Sequence, residues 1–170
     1  FSVASSIVAA IERSMGVIEF KPDGTIVRAT DLFLAMVGYT QAEIQGRHHR
    51  IFVQPEAAAQ PAYQDFWAKL SSGQVVPGQF ERVTKSGRPV WLEATYNPLL
   101  DERGKVVGVV KFATDITAQV QLNDKSAALV KAIDQGQVMI EFDLLGNVLK
   151  ANPVFLRLMG YTAEELAGKH

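Results

Sequence analysis

The sequence predicts an α+β fold: one five-stranded antiparallel sheet with small helices on one face and amphipathic helices flanking it. Three observations predict it. Two short apolar runs surround the turn signal Pro22-Asp23-Gly24, and three longer runs in strand pattern follow a cluster of short helical patterns. The last of these runs is apolar at nearly every position, which implies cover on both faces of the sheet. The third observation is a repeat: "IEFKPDGTIVRATDLFLAMVGYT" near the start returns as "IEFDLLGNVLKANPVFLRLMGYT" near the end.

Taken in order, 3–14 carries Val3, Ile7, Ala10 and Ile11 at helical spacing and reads as an amphipathic helix. "GVIEF" and "TIVRA" read as a hairpin across Pro22-Asp23-Gly24. "ATDLFLAMVG" reads as a short helix with Thr30 or Asp31 at its cap and Gly38 at its end. Thr40 followed by Glu43 forms a capping-box pattern for a further single turn. "PAYQDFWAKLSSG" groups Tyr63, Phe66, Trp67 and Leu70 on one helical face before Gly73. "GQFERVT", "PVWLEATYNPLL" and "KVVGVVKFATDIT" then read as an antiparallel meander, with turns at Lys85-Ser86-Gly87 and at 101–104. A second amphipathic helix over 118–134 carries Leu122, Leu129 and Ile133.

Aligning Ile18 with Ile140 makes 13 of 31 positions identical between 18–48 and 140–170, where unrelated composition would give about two. The match reaches back to Ile7, Val8, Ala10 and Ile11 against Leu129, Val130, Ala132 and Ile133. The expected organisation is therefore a flanking helix (1–14), a domain (15–117), a linker helix (118–136) and the incomplete start of a second copy (137–170). Without its own long helix and meander, that second copy cannot close a core. It belongs either to a longer chain or to a piece that packs on another molecule.

Composition excludes several classes. Seventeen Lys+Arg against eighteen Asp+Glu leave a net charge of −1, so nucleic acid and anionic membranes are not expected partners. The absence of cysteine excludes disulfides, thiolate catalysis and Cys-ligated metal, and suits a reducing, cytoplasmic setting. No apolar run approaches a membrane span, and "FSVASSIVAAIERS" reaches Glu12 and Arg13 too soon for a signal sequence. Motifs of nucleophile elbows, phosphate loops and dinucleotide glycines are missing, so an enzyme is not expected.

The strings "GYTQAEIQGRHHRIFVQPE", "FWAKLSSG" and "RVTKSGRPVWLEATYNPLLDERGKVVGVVKFATDIT" resemble the PAS sensor domains of bacterial methyl-accepting chemotaxis proteins, over about 15–117. The His49-Arg50 pair, Tyr96-Asn97-Pro98 and 111–114 narrow the resemblance to the chemoreceptor type. It implies a signal-input module with a ligand or cofactor between the inner sheet face and the helices, a homodimer formed through flanking helices, and a downstream signalling domain in the same chain. Haem b and flavin are the cofactors such receptors use. Flavin-binding aerotaxis receptors resemble this chain at Trp67 and Trp91 but carry a Trp near Val76 and an Asn-Arg pair near Arg82, both lacking here. Others of the family bind small organic ligands, or serve only as ligand-free dimerisation and relay elements.

His48 and His49 are the histidines of the complete copy. A neutral imidazole can be an axial ligand of haem iron, with His49 the expected metal ligand if haem is bound. Either can instead bond backbone carbonyls at a helix start. Trp67 can stack on a flavin or line a haem pocket, or serve as core. Strand alternation places Val90, Leu92, Ala94 and Tyr96 on the pocket face, making Leu92 and Tyr96 candidate cofactor contacts. Asp115 and Thr117 sit where the last strand meets the exit helix and can cap it, which makes them the candidate signal relay.

Overall fold

The computed structural model describes residues 2–136 and 140–170, which fall into two units, 1–118 and 119–170. The first opens with helix α1 (Val3–Ser14), capped by Ser2, whose side chain accepts from the Ser5 N–H. Strands β1 (Gly16–Phe20) and β2 (Ile26–Ala29) pair antiparallel. Asp23 Oδ1 closes the turn between them by accepting from the Thr25 N–H at 2.9 Å, and Gly24 adopts φ +93°. Helix α2 (Asp31–Val37) starts at Thr30 and ends on Gly38 at φ +74°, a left-handed cap that suits glycine. Helix α3 (Gln41–Ile44) has the full capping box between Thr40 and Glu43.

A 3-10 turn (His49–Phe52) and two helices, α4 (Pro55–Ala58) and α5 (Pro61–Ser71), lead into the meander. Its strands are β3 (Val76–Val83), β4 (Pro89–Leu100) and β5 (Val106–Asp115). The sheet order β2-β1-β5-β4-β3 brings the first and last strands together at its centre, so the two halves of the domain meet in one five-stranded antiparallel sheet. Ile18 stands opposite Lys111, and Lys111 opposite Tyr96, in register across three strands. These residues share the inner face and are fully buried. With Phe20, Phe33, Ile44, Phe52, Trp67, Leu70 and Leu92 they form the core.

The outer face differs from the expectation of full cover. On β5, Val109, Lys111 and Ala113 are buried, while the alternate Val110 and Phe112 are half-buried beside α1. Between α1 and these strands lies an apolar cavity of about 230 Å³ lined by Val8, Ile11, Val17, Leu99, Val110 and Phe112. No residue of α1 is buried, and Val3, Ile7 and Val8 stay exposed.

Helix α6 (Thr117–Gly136) leaves the sheet directly after β5. In the second unit follow β6 (Ile140–Phe142), β7 (Val148–Ala151), α7 (Pro153–Met159) and α8 (Ala163–Leu166). The β6–β7 register, with its irregularity between Glu141 and Phe142, matches β1–β2 residue for residue at the repeat offset. The expected boundary at residues 137–139 lies outside the described residues.

Candidate functional site

His48 and His49 take opposite directions, as adjacent residues at the start of a tight turn must. His48 is the N-cap of the 3-10 turn: its Nδ1 accepts from the Arg50 N–H at 3.1 Å, and its Nε2 donates to the Asp23 carbonyl at 2.8 Å. Those two bonds define its tautomer and tie the turn to the β1–β2 hairpin. The bridge between Thr25 and His48 and the bond from the His49 N–H to the Gly24 carbonyl (2.9 Å) reinforce the tie. His48 therefore bonds a backbone carbonyl, the second of the roles its position allows.

His49 points into the core and is fully buried. Its Nδ1 lies 2.7 Å from the Tyr63 hydroxyl on α5 and its Nε2 3.0 Å from the Tyr96 hydroxyl on β4. Burial pushes its pKa well below the usual histidine value, and the charges of Arg82, Lys111 and His48 push the same way, so the ring is neutral. Arg82 Nη2 donates to the Tyr96 oxygen at 3.1 Å. A neutral imidazole donates through one nitrogen and accepts through the other, so Arg82, Tyr96, His49 and Tyr63 form one hydrogen-bonded chain.

Lys111 is fully buried, and its Nζ stands 4.8 Å from the Tyr96 ring centroid and 5.3 Å from that of Phe33. Burial pushes the Lys111 amine down, with Tyr96 opposing. Burial raises the Tyr96 hydroxyl, but Lys111 and Arg82 outweigh it and bring Tyr96 below its ordinary value. Aromatic rings close around the network: Phe66 lies 4.8 Å from Tyr96, Phe80 5.3 Å from Tyr96, and Trp67 5.3 Å from His49.

The structure thus brings His49, Trp67 and Tyr96 into one cluster, with Leu92 buried on the same strand face. His48 meets Trp67 from the outer side, at 5.9 Å between ring centroids. Asp115 and Thr117 form a separate junction. Thr117 Oγ1 donates to Asp115 Oδ1 at 2.6 Å and accepts from the Trp91 N–H at 2.9 Å, while the Ile116 N–H donates to the Trp91 carbonyl. Tyr63, Arg82 and Lys111 are the site residues that sequence reasoning missed. The signal for two of them was strand phase: Arg82 alternates in step with Phe80, and Lys111 with Val109 and Ala113.

Haem and flavin, the groups the resemblance implies, do not fit this arrangement. Both nitrogens of His49 are engaged by tyrosine hydroxyls, so neither faces iron. The space between β4 and α5 is filled by Phe66, Trp67, Phe80 and Tyr96 in edge-to-face contact, leaving no slot for a flat multi-ring group. Among the described residues no cluster of three or more His, Asp or Glu side chains could hold a metal.

A single antiparallel sheet that cups short helices over a buried polar cluster and hands its last strand to a helix is the frame of a sensory module. The chain belongs to the PAS family: the family described as PAS fold matches residues 26–113, and the related PAS domain family matches 137–170. It is 45% identical over 160 residues to the biofilm dispersion protein BdlA of Pseudomonas aeruginosa, covering 94% of this chain and 38% of that protein. It is 30% identical over 115 residues to the aerotaxis receptor of Escherichia coli, covering 66% of this chain and 21% of that one. The chain therefore spans well under half of these relatives. In fold it is similar to a light-oxygen-voltage domain studied with a flavin analogue (TM-score 0.57, 24% identity, 72% of this chain and 96% of that one). A PAS domain from Colwellia psychrerythraea is similar at TM-score 0.60 and 18% identity, over 69% of this chain and 99% of that one.

Proposed function

We propose that residues 15–117 are the signal-input module of a chemoreceptor-type signalling protein. The module takes a small ligand against the inner sheet face and passes the change through the 118–136 helix to the next PAS copy (137–170) and a downstream signalling domain. The observation that carries this reading is the bond between Trp91 and Thr117. Trp91 lies between Val90 and Leu92, both buried on the inner face, and its backbone N–H holds the first turn of the exit helix through Thr117 Oγ1. A shift of β4 caused by repacking inside must therefore move the start of α6. Asp115, bonded to both the Thr117 N–H and hydroxyl, sets the angle of departure. Moving such an element from mostly off to mostly on needs roughly 5 kcal/mol of differential ligand affinity.

The likeness to BdlA and to the aerotaxis receptor supports the chemotaxis setting, and the exposed apolar residues of α1 and α6 support a homodimer through the flanking helices. The near-zero net charge is the reason the proposed cytoplasmic, non-enzymatic module is given neither nucleic acid nor an anionic membrane as partner; among the described residues no helix is long and apolar enough to cross a membrane. The filled inner face favours one second reading, a ligand-free dimerisation and relay module.

The test is Asp115→Ala in the receptor that carries this module. The expected result is loss of the behavioural response with β4 and β5 amides still protected from hydrogen exchange. A normal response would overturn the relay. Mass spectrometry of the denatured native protein separates the two readings: a stoichiometric small molecule supports the sensor, and none supports the ligand-free module.

A further inference from the structure

The buried cluster holds cations without anions. Lys111 is fully buried and Arg82 is 8% exposed, yet Lys111 Nζ and Arg82 Nε have no hydrogen-bond partner among the described residues, nor has Trp67 Nε1. The ion pairs among the described residues, Arg28 with Glu12 and Glu19 and Lys85 with Glu43, involve neither. The ring faces of Tyr96 and Phe33 attract the Lys111 charge but offer no lone pair to its N–H groups. With no carboxylate among the described residues paired to either side chain, the buried cluster carries positive charge that lacks a counter-charge. A core that keeps such a charge, with only the phenol oxygens of Tyr96 and Tyr63 in reach of the Lys111 and Trp67 donors, is built for something that supplies both negative charge and stronger acceptors.

We propose that this cluster is the binding site of a small oxyanion of the carboxylate class, held by Lys111 Nζ and Arg82 Nε beside the Trp67 indole N–H. Packing argues for a ligand of few atoms, since Phe66, Phe80 and Tyr96 already interlock around the network. A monoanion balances one such charge, whereas a dianion would bring a larger desolvation cost. Access comes from the α5 side. A cleft of about 380 Å³ is lined by His48, Arg50, Tyr63 and Trp67, and the Tyr63 hydroxyl reaches from it to His49. Tyr63 is thus the side chain that must move for an anion to pass, and its movement would free His49 Nδ1.

This inference rests on the sensor reading and gives its ligand a chemical class. The experiment is a sodium formate titration of the 170-residue chain at constant ionic strength, followed by acetate, with the indole N–H signals of Trp67 and Trp91 observed by nitrogen-15 NMR. The Trp67 signal should move saturably while that of Trp91, on the outer phase of β4, stays. Lys111→Met, which keeps length and removes charge, should weaken the response at least about tenfold. Should that variant not fold, Arg82→Gln and the wild-type titration decide. No saturable Trp67 shift with either anion, or the same shift in the folded Lys111→Met variant as with an adventitious ion only, overturns the site. A saturable Trp67 shift with motionless amides over 115–124 keeps the site and sinks the relay. No anion response together with a loss of output in Asp115→Ala sinks the site and keeps the relay.

Discussion

At the scale of single residues the molecule is organised around an imidazole that is held neutral. His49 is enclosed by Phe20, Phe52, Phe66, Trp67 and Tyr96, and each of its nitrogens already has a hydroxyl partner. Its folded pKa lies well below the ordinary 6.5, so between those values the unfolded chain binds a proton that the folded chain refuses. Stability should therefore fall as pH drops below about 6.5, by up to about 1.4 kcal/mol per pH unit. His48 contributes in the same sense, chiefly through burial. Carboxylates act lower down: Glu43, held by Lys85 and the Thr40 backbone, is pulled to about 2. Urea unfolding of wild type and His49→Gln between about pH 7.5 and 5.5, about a unit either side of the histidine value, isolates the effect. The slope should flatten in the variant, and an unchanged slope would remove His49 from this role.

At the scale of elements, the β1–β2 hairpin and the 3-10 turn behave as one piece because Gly24 lets them touch. Gly24 adopts φ +93°, and a Cβ there would meet His48 Nε2 at 2.6 Å and Trp67 Cε2 at 3.0 Å. Both the backbone conformation and the space favour glycine, so Gly24→Ala should cost at least about 1–2 kcal/mol in urea unfolding. A cost near zero would show that the hairpin is not clamped to His48. The second unit repeats the device: Gly146 has φ +86°, and a Cβ there would meet His170 Nε2 at 2.6 Å. The Ile26 N–H donates to the Arg47 carbonyl, and at the repeat offset the Val148 N–H donates to the Lys169 carbonyl. The same local sequence builds the same hairpin, with the same approach of its glycine to a histidine, in both places.

At the scale of the whole molecule the two units differ in how much they bury. The first closes a core through its meander, while in the second Val148 and Asn152 are buried and Phe142, Leu145, Leu149 and Leu158 remain exposed. On the flanking helices Ile7, Val8, Leu129 and Val130 are exposed too, and these are the positions that match between the repeats. Apolar faces of this kind are stabilised by covering one another. In the proposed homodimer, Leu129→Glu should raise the dissociation constant at least about tenfold in light-scattering chromatography, with circular dichroism unchanged. A variant as dimeric as wild type would take α6 out of the interface.

Much of this was legible in the chain because it is local. The caps at Thr30, Gly38 and Thr40, the hairpin at Gly24, the β4 alternation that buries Leu92 and Tyr96, and the opposite directions of His48 and His49 all follow from periods of two and 3.6 and from the turn chemistry of glycine and aspartate. The contents of the site were not local. His49 meets Tyr63 across 14 positions and Tyr96 across 47, separations that no short-range pattern encodes. Nothing in line marks Arg82 and Lys111 for burial, since a cation in a strand is ordinarily solvated, and the outer-face cover implied by the apolar run of β5 came out partial. By itself the sequence determined the strands, the helices outside 49–58, their order and their repetition. Only the tertiary structure decided that two cations and a neutral histidine share the core, because burial and partner choice arise when distant strands pair and not from the residues in line.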